Sequence, residues 1–295
     1  MEIVSYAWMC LGRSEPTSSP AAARIGSTRC AILGKAVARG ELKNQDRHWS
    51  RHAVGYEEMF LDPYAPGVEN PLWAALDAIP DARSRTVADL GCGTGPLLPH
   101  LAGRFGRVLA LDFAGGMLER ARERIAPGAR ERVTFLSRPM HDLDDLVGQV
   151  DVAIAVNSLV MPEIRLIDRT LCAIRASLVP GGQFLGILPS IDALAYHAML
   201  LVDRALEKGM SAREAERLAA DQIERRYYDF AFGRFRLQGL SQKFWQPFEI
   251  EHRFARAGFS SVTLSKVLYP WDESLASADE LAEFPRSWDW FFLAR

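Results

Sequence analysis

Beyond about Gly40 the chain alternates short apolar runs with segments whose apolar residues recur at helical spacing. TVADL (86–90), RVLALD (107–112), RVTFL (132–136), VDVAIAVNS (150–158) and GGQFLGIL (181–188) have strand length and are rich in Val, Ile, Leu and Phe. Between them, GPLLPHLAGRF, GGMLERARERI and IRLIDRTLCAIRASL place apolar residues three and four apart. The last puts Leu166, Thr170, Ile174 and Leu178 down one face, and DLDDL predicts a short helical turn. Nearly continuous apolar strands separated by helices call for a mostly parallel sheet covered on both faces.

The flanks read differently. NQDRHWSRHAVGYEEMF (44–60) predicts a helix, followed by a turn at Asp62-Pro63. Asn70 and Pro71 then supply an N-cap and a first-turn proline for PLWAALDAI, which Pro80 stops. After Leu188 the alternation breaks. Residues 190–228 are helical and charged, and strand patterns return only at SVTLSKVLYPW and at the aromatic SWDWFFLAR. The first 40 residues, rich in Ala, Ser, Arg and Gly, read as a poorly ordered extension or a helix packed on the surface. No cationic stretch precedes their apolar start, as a targeting peptide would need. The expected division is an appended segment, 1–40, and one domain, 41–295. That domain has a helical N-terminal cap at 41–80 and a helical lid insertion at 189–245.

Composition narrows the class. With 48% apolar and 24% charged residues and a net charge of −2, the chain is ordinary for a soluble globular protein and offers no polyanion-binding surface. No apolar run reaches the roughly 18–20 residues of a membrane helix. The four cysteines are scattered without a CxxC pair, which points to a reducing, cytoplasmic setting and no structural metal.

The chemistry sits in TVADLGCGTGPLLPHLA (86–102), where Gly91, Gly93 and Gly95 link a strand to a helix. Glycines let the backbone turn sharply and approach a ligand, and the helix N-terminus presents unpaired N–H groups. A buried Asp89 needs a partner, which a ligand ammonium supplies. Asp112 closes the next strand, about twenty residues on, where a carboxylate grips ribose hydroxyls. A dinucleotide site wants G-x-G-x-x-G, but Pro96 stands where its third glycine belongs, and Asp89 would repel a pyrophosphate. The turn suits a ligand with an ammonium and a ribose but no phosphates, namely S-adenosylmethionine. Cys92, within the turn, reads as a small packing residue, since no second cysteine pairs with it.

VADLGCGTG resembles the first motif of the class I S-adenosylmethionine-dependent methyltransferases. The resemblance continues in order through LALDFAGGMLERAR, VTFLSRPMHDL, VDVAIAVNSLVM, LVPGGQFLGIL, RAGFSSVTL and WDWFFLAR, from about Tyr56 to Arg295. It implies a doubly wound, Rossmann-like α/β fold with a seven-stranded, mostly parallel sheet whose last strand is antiparallel. Carried over by position, Asp89, Gly91 and Gly93 line the methionine end of the cofactor, within a binding turn that includes Cys92 and Gly95. Asp112 holds the ribose, Phe113 and Met117 flank the adenosine, and Met140 and His141 border the adenine. Asn157 and Ser158 face cofactor and substrate together, and Tyr56 covers the cofactor from the N-terminal helix. Pro139 stands where many relatives carry an acid for the adenine amino group, a position Asp142 can substitute.

His141 and Asp142 are the candidate catalytic residues, with His141 able to take a proton from a hydroxyl or amine. A plain place in the cofactor shell or on the surface remains open for both. Asn157-Ser158-Leu159-Val160 lacks the Pro-Cys of cytosine-C5 enzymes and the Pro-Pro-aromatic run of adenine-N6 enzymes. The expected partner is a small-molecule methyl acceptor, with no nucleic acid, membrane or metal, in a monomer or homodimer. Tyr227, Tyr228, Phe230, Phe232, Phe235 and Trp245 suit an apolar or aromatic acceptor, or serve simply as core. The competing functions are a non-catalytic S-adenosylmethionine-binding protein and an NAD(P)-dependent oxidoreductase.

Overall fold

The computed structural model describes residues 61–237, 240–272, 275 and 278–295. The 1–40 segment, the helix expected at 44–60 and Tyr56 lie outside the described residues.

Alternation in the sequence becomes alternation in space. Strands β1 (Thr86–Leu90), β2 (Arg107–Asp112), β3 (Val133–Ser137), β4 (Val150–Val156) and β5 (Leu178–Leu188) run parallel, and two late strands, β9 (Val262–Tyr269) and β10 (Ser287–Ala294), join them. The order is β3-β2-β1-β4-β5-β10-β9, with β10 antiparallel to both of its neighbours. The period-2 geometry splits β2 between two apolar layers. Val108 and Ala110 face α1 (Pro71–Asp77), α2 (Leu98–Arg104) and α3 (Gly115–Glu123); Leu109 and Leu111 face α4 (Ile164–Ser177) and α7 (Pro247–Ala257). On the second face Phe184, Phe254 and Phe292 pack ring on ring, with centroids 4.8–5.6 Å apart. At the β4–β5 seam Gly186 is obligatory, because a Cβ there would lie 1.9 Å from the Ala155 carbonyl oxygen.

The local signals act as the pattern predicts. Asn70 caps α1 by accepting from the Leu72 N–H at 2.9 Å, with Pro71 at the first helical position. Ser190 caps α5 (Ile191–Glu207), and Ser211 with Glu214 forms a capping box on α6 (Ala212–Gln222).

The insertion departs from the expectation in its second half. After α5 and α6 it forms a small antiparallel sheet of β6 (Tyr228–Asp229), β7 (Arg234–Leu237) and β8 (Leu240–Lys243). These strands are held by Tyr228, Phe235 and Phe244, whose rings meet at 5.0–6.2 Å. The insertion is fastened at its exit. The fully buried Trp245 donates its indole N–H to the Leu159 carbonyl at 2.9 Å, and the Lys243 N–H donates to Val160 at 2.8 Å. The buried Lys243 ammonium pairs with Glu249, Glu249 with Arg253, and Arg253 with Asp168, tying the insertion through α7 to α4.

Candidate active site

Between β1 and β4 the strand order reverses, and the crevice beyond their carboxyl ends is where open α/β sheets bind ligands. The chain leaves β1 through the glycine turn. Gly91 and Cys92 donate their N–H groups to the Leu111 carbonyl at 2.7 and 2.8 Å, and Gly93 donates to Asp112 Oδ2 at 3.0 Å. Asp112 Oδ1 accepts from the Ala114 N–H at 2.8 Å, so this carboxylate ties the turn to the end of β2. A carboxylate has lone pairs beyond these two bonds for ribose hydroxyls.

The three glycines differ in what they make room for, although all have positive φ. A Cβ on Gly91 would lie 2.5 Å from Ser158 Cβ, and one on Gly95 would lie 2.9 Å from both Ala121 Cβ and Leu98 Cδ1. Those two are packing glycines. A Cβ on Gly93 would meet no protein atom within 4 Å, since it faces the open space a ligand would fill.

Asp89 is 4% exposed, and burial, reinforced by Asp112, pushes its carboxyl up to about 7. Burial and the same two carboxylates push the Cys92 thiol well above its usual range, so this cysteine packs as a protonated thiol. Asn157 holds a left-handed φ of 48° at the end of β4, and its buried Oδ1 has no hydrogen-bond partner among the described residues. Ser158 Oγ donates to the Leu90 carbonyl at 2.7 Å and braces the turn.

A cavity of about 570 Å³ joins this turn to the insertion. Asp89, Gly91, Cys92, Gly93 and Asn157 form its sheet end. Ala193, Leu194 and His197 of α5 wall it, together with Tyr228, Gln242 and Phe244 from the small sheet. Ser287, Trp288 and Asp289 at the start of β10, with Leu61–Tyr64, complete it. Gly95, Asp112, Phe113, Met117, Met140, His141 and Ser158 are not among its lining residues. Phe113 follows β2 and is partly buried, and Met117 is buried on α3. Met140 lies beside Gly91, with Sδ 3.6 Å from where a Cβ would stand. His141 is buried, and burial, helped by Arg169, lowers its pKa against the pull of Asp142. Asp142 is exposed, and neither member of the expected catalytic pair lines the cavity.

Sequence reasoning passed over Asp289, Trp288 and Gln242. An acid inside the aromatic run WDWFF was the available signal, since a charge within a buried strand needs a reason.

The residues present fit S-adenosylmethionine. Asp89 and the unpartnered Asn157 Oδ1 are acceptors for an ammonium, and Gly93 leaves the backbone open to a ligand. Among the described residues no cluster of three or more His, Cys, Asp or Glu side chains is arranged to hold a metal, and no helix is long and apolar enough to cross a membrane.

Comparison with known proteins agrees with this geometry. The family model for a methyltransferase domain matches residues 87–182, from within β1 through β4 and into β5. Magnesium-protoporphyrin O-methyltransferase of Rhodobacter capsulatus is 29% identical over 153 residues, covering 48% of this chain and 67% of that protein. Malonyl-[acyl-carrier protein] O-methyltransferase of Acetivibrio thermocellus is 40% identical over 81 residues, 26% of this chain and 27% of its own length. The chain likewise spans only 5% of the Chondromyces crocatus chondramide synthase, to which it is 30% identical over 213 residues and 69% of its own length. The fold is shared with a chain from the complex of the Haloferax volcanii Trm112 methyltransferase activator and a methyltransferase. That match has a TM-score of 0.56 and 18% identity, over 86% of this chain and 96% of the other. With the glycine turn, the reversed strand order and the antiparallel β10 in place, the chain carries a methyltransferase domain of the class I S-adenosylmethionine-dependent type across residues 87–182.

Proposed function

We propose that this chain transfers the methyl group of S-adenosylmethionine to a small molecule with an apolar or aromatic body. The observation that carries this reading is the single cavity that runs from Asp89 and Gly93 to the inner wall of the insertion. The cofactor supplies an already activated methyl group on a sulfonium. What remains for the protein is to hold the acceptor in line and keep water out, tasks of proximity and orientation. Val160, Leu194, Phe244 and Tyr228 give the acceptor end an apolar lining. Pocket walls of this kind bury a small ligand and leave a few polar groups to orient it. The insertion at 189–245 acts as the lid, and its fastening at Trp245 keeps that wall in register with β4. Asp89, Gly93 and Asn157 hold the methionine end, while Asp112, Phe113, Met117, Met140 and His141 serve the adenosine. Two of the relatives are named as O-methyltransferases, so an oxygen acceptor is the first to test.

The test is calorimetric titration with S-adenosylhomocysteine, followed by incubation with isotopically labelled S-adenosylmethionine and a small-molecule extract. Saturable binding and a labelled small product are expected. Binding with no labelled product would favour a non-catalytic role.

A further inference from the structure

Asp289, another residue of the cavity wall, stands at the start of β10, and its two oxygens are held in place. Oδ2 accepts from the Tyr269 hydroxyl at 2.8 Å and Oδ1 from the Ser190 N–H at 3.1 Å. Asp289 is among the residues that line the cavity, between Trp288 and the Ser190 end of α5. An acid fixed by two donors on a cavity wall shared with Leu194, Phe244 and Leu275 is arranged for a polar group on a ligand with an apolar body.

We propose that Asp289 binds the hydroxyl or amine of the methyl acceptor and takes its proton during transfer, with Tyr269 as the residue that positions it. This rests on the methyltransferase reading above. As the acceptor's O–H or N–H bond breaks, the proton passes to the Asp289 carboxylate. The acceptor lone pair forms the new bond to the methyl carbon, and the electrons of the broken S–C bond stay on sulfur as a neutral thioether. Burial holds Asp289 up near 6, against the Tyr269 and Ser190 hydrogen bonds that favour its charged form. At neutral pH it is ionised and basic enough to receive a proton.

Other titratable groups face the same space. Asp62 and Tyr64 come from the segment before α1 and His197 from α5, while Tyr269 of β9 reaches Asp289 from behind the cavity wall. Asp89 and Arg124 face the cavity from the cofactor side. Lys266 packs over the Trp288 ring and is coupled to Asp192, next to Trp290.

The experiment compares p-cresol with toluene, which lacks the donor, as ligands of the protein saturated with S-adenosylhomocysteine, by tryptophan fluorescence. In the wild type, p-cresol should bind about tenfold more tightly than toluene at pH 8, the preference expected of a hydrogen bond to a charged acceptor. That preference should shrink as the pH is lowered through 6. Asp289→Asn should flatten the pH dependence and weaken p-cresol alone, with S-adenosylhomocysteine affinity unchanged. Tyr269→Phe should move the midpoint to higher pH, because it removes a donor to the charged form. A variant that merely loosened β10 would weaken both ligands alike. Equal preference in wild type and Asp289→Asn, or a p-cresol preference that ignores pH, would overturn the assignment. Failure of the wild type to bind S-adenosylhomocysteine would instead sink the methyltransferase reading.

Discussion

Asp89 and Asp289 are carboxyls raised by burial to about 7 and about 6 in the lining of one cavity, and the proposed reading gives them different ligands. A bound ammonium needs Asp89 charged, so S-adenosylhomocysteine affinity should fall as the pH drops below 7 and level off above 8. Asp89→Asn should weaken it more than tenfold at pH 8, read by calorimetry. Without ligand the sign reverses. A carboxyl raised on folding stabilises the folded state at low pH and withdraws that stability as the pH rises through about 4 to about 7. Ligand-free Asp89→Asn should therefore melt above wild type at pH 8, by on the order of a few kcal/mol in stability, and match it near pH 4. The glycines separate by the same logic. Gly95→Ala should cost about 2–3 kcal/mol, because its Cβ meets Ala121 and Leu98 at 2.9 Å. Gly93→Ala should cost about 1 kcal/mol in stability, yet block the cofactor. Asp89 and the glycines were legible because a ligand's shape is written into a contiguous turn. Asp289 was not, because the face a strand residue presents depends on which strands flank it.

At the scale of elements, caps and periodicity carried most of the reading. Asn70-Pro71 opens α1 as expected, and α4 buries Leu166, Thr170 and Ile174 along the face its spacing marks. The small sheet β6–β8 escaped because strands of two to four residues are too short for a period to show. Its fastening is testable by chemical denaturation. Trp245→Phe keeps an aromatic ring but deletes the donor to Leu159 and leaves a small cavity, and should cost about 2–4 kcal/mol. Glu249→Gln strands the Lys243 charge in a dry site and should cost about 3–5 kcal/mol, much of it recovered by adding Lys243→Met.

Across the whole molecule, the ends of the sheet strands and the insertion both line the cavity, so ligand binding should couple them. S-adenosylhomocysteine with p-cresol should slow amide exchange in α5 and β8, which wall the cavity, and leave the β9 edge unchanged. Unchanged exchange in α5 would mean that the insertion does not close on the ligand. The sequence by itself determined the α/β class, the glycine turn and the cofactor it suits, because each rests on residues near one another in the chain. Only the tertiary structure decided that His141 and Asp142 stand away from the cavity and that Asp289 lines it. It also decided that a Cβ on Gly93, alone of the three glycines, would meet no protein atom within 4 Å. The first two facts depend on how β1 and β10, about two hundred residues apart in the chain, come to line one cavity, and neither spacing nor composition encodes that meeting.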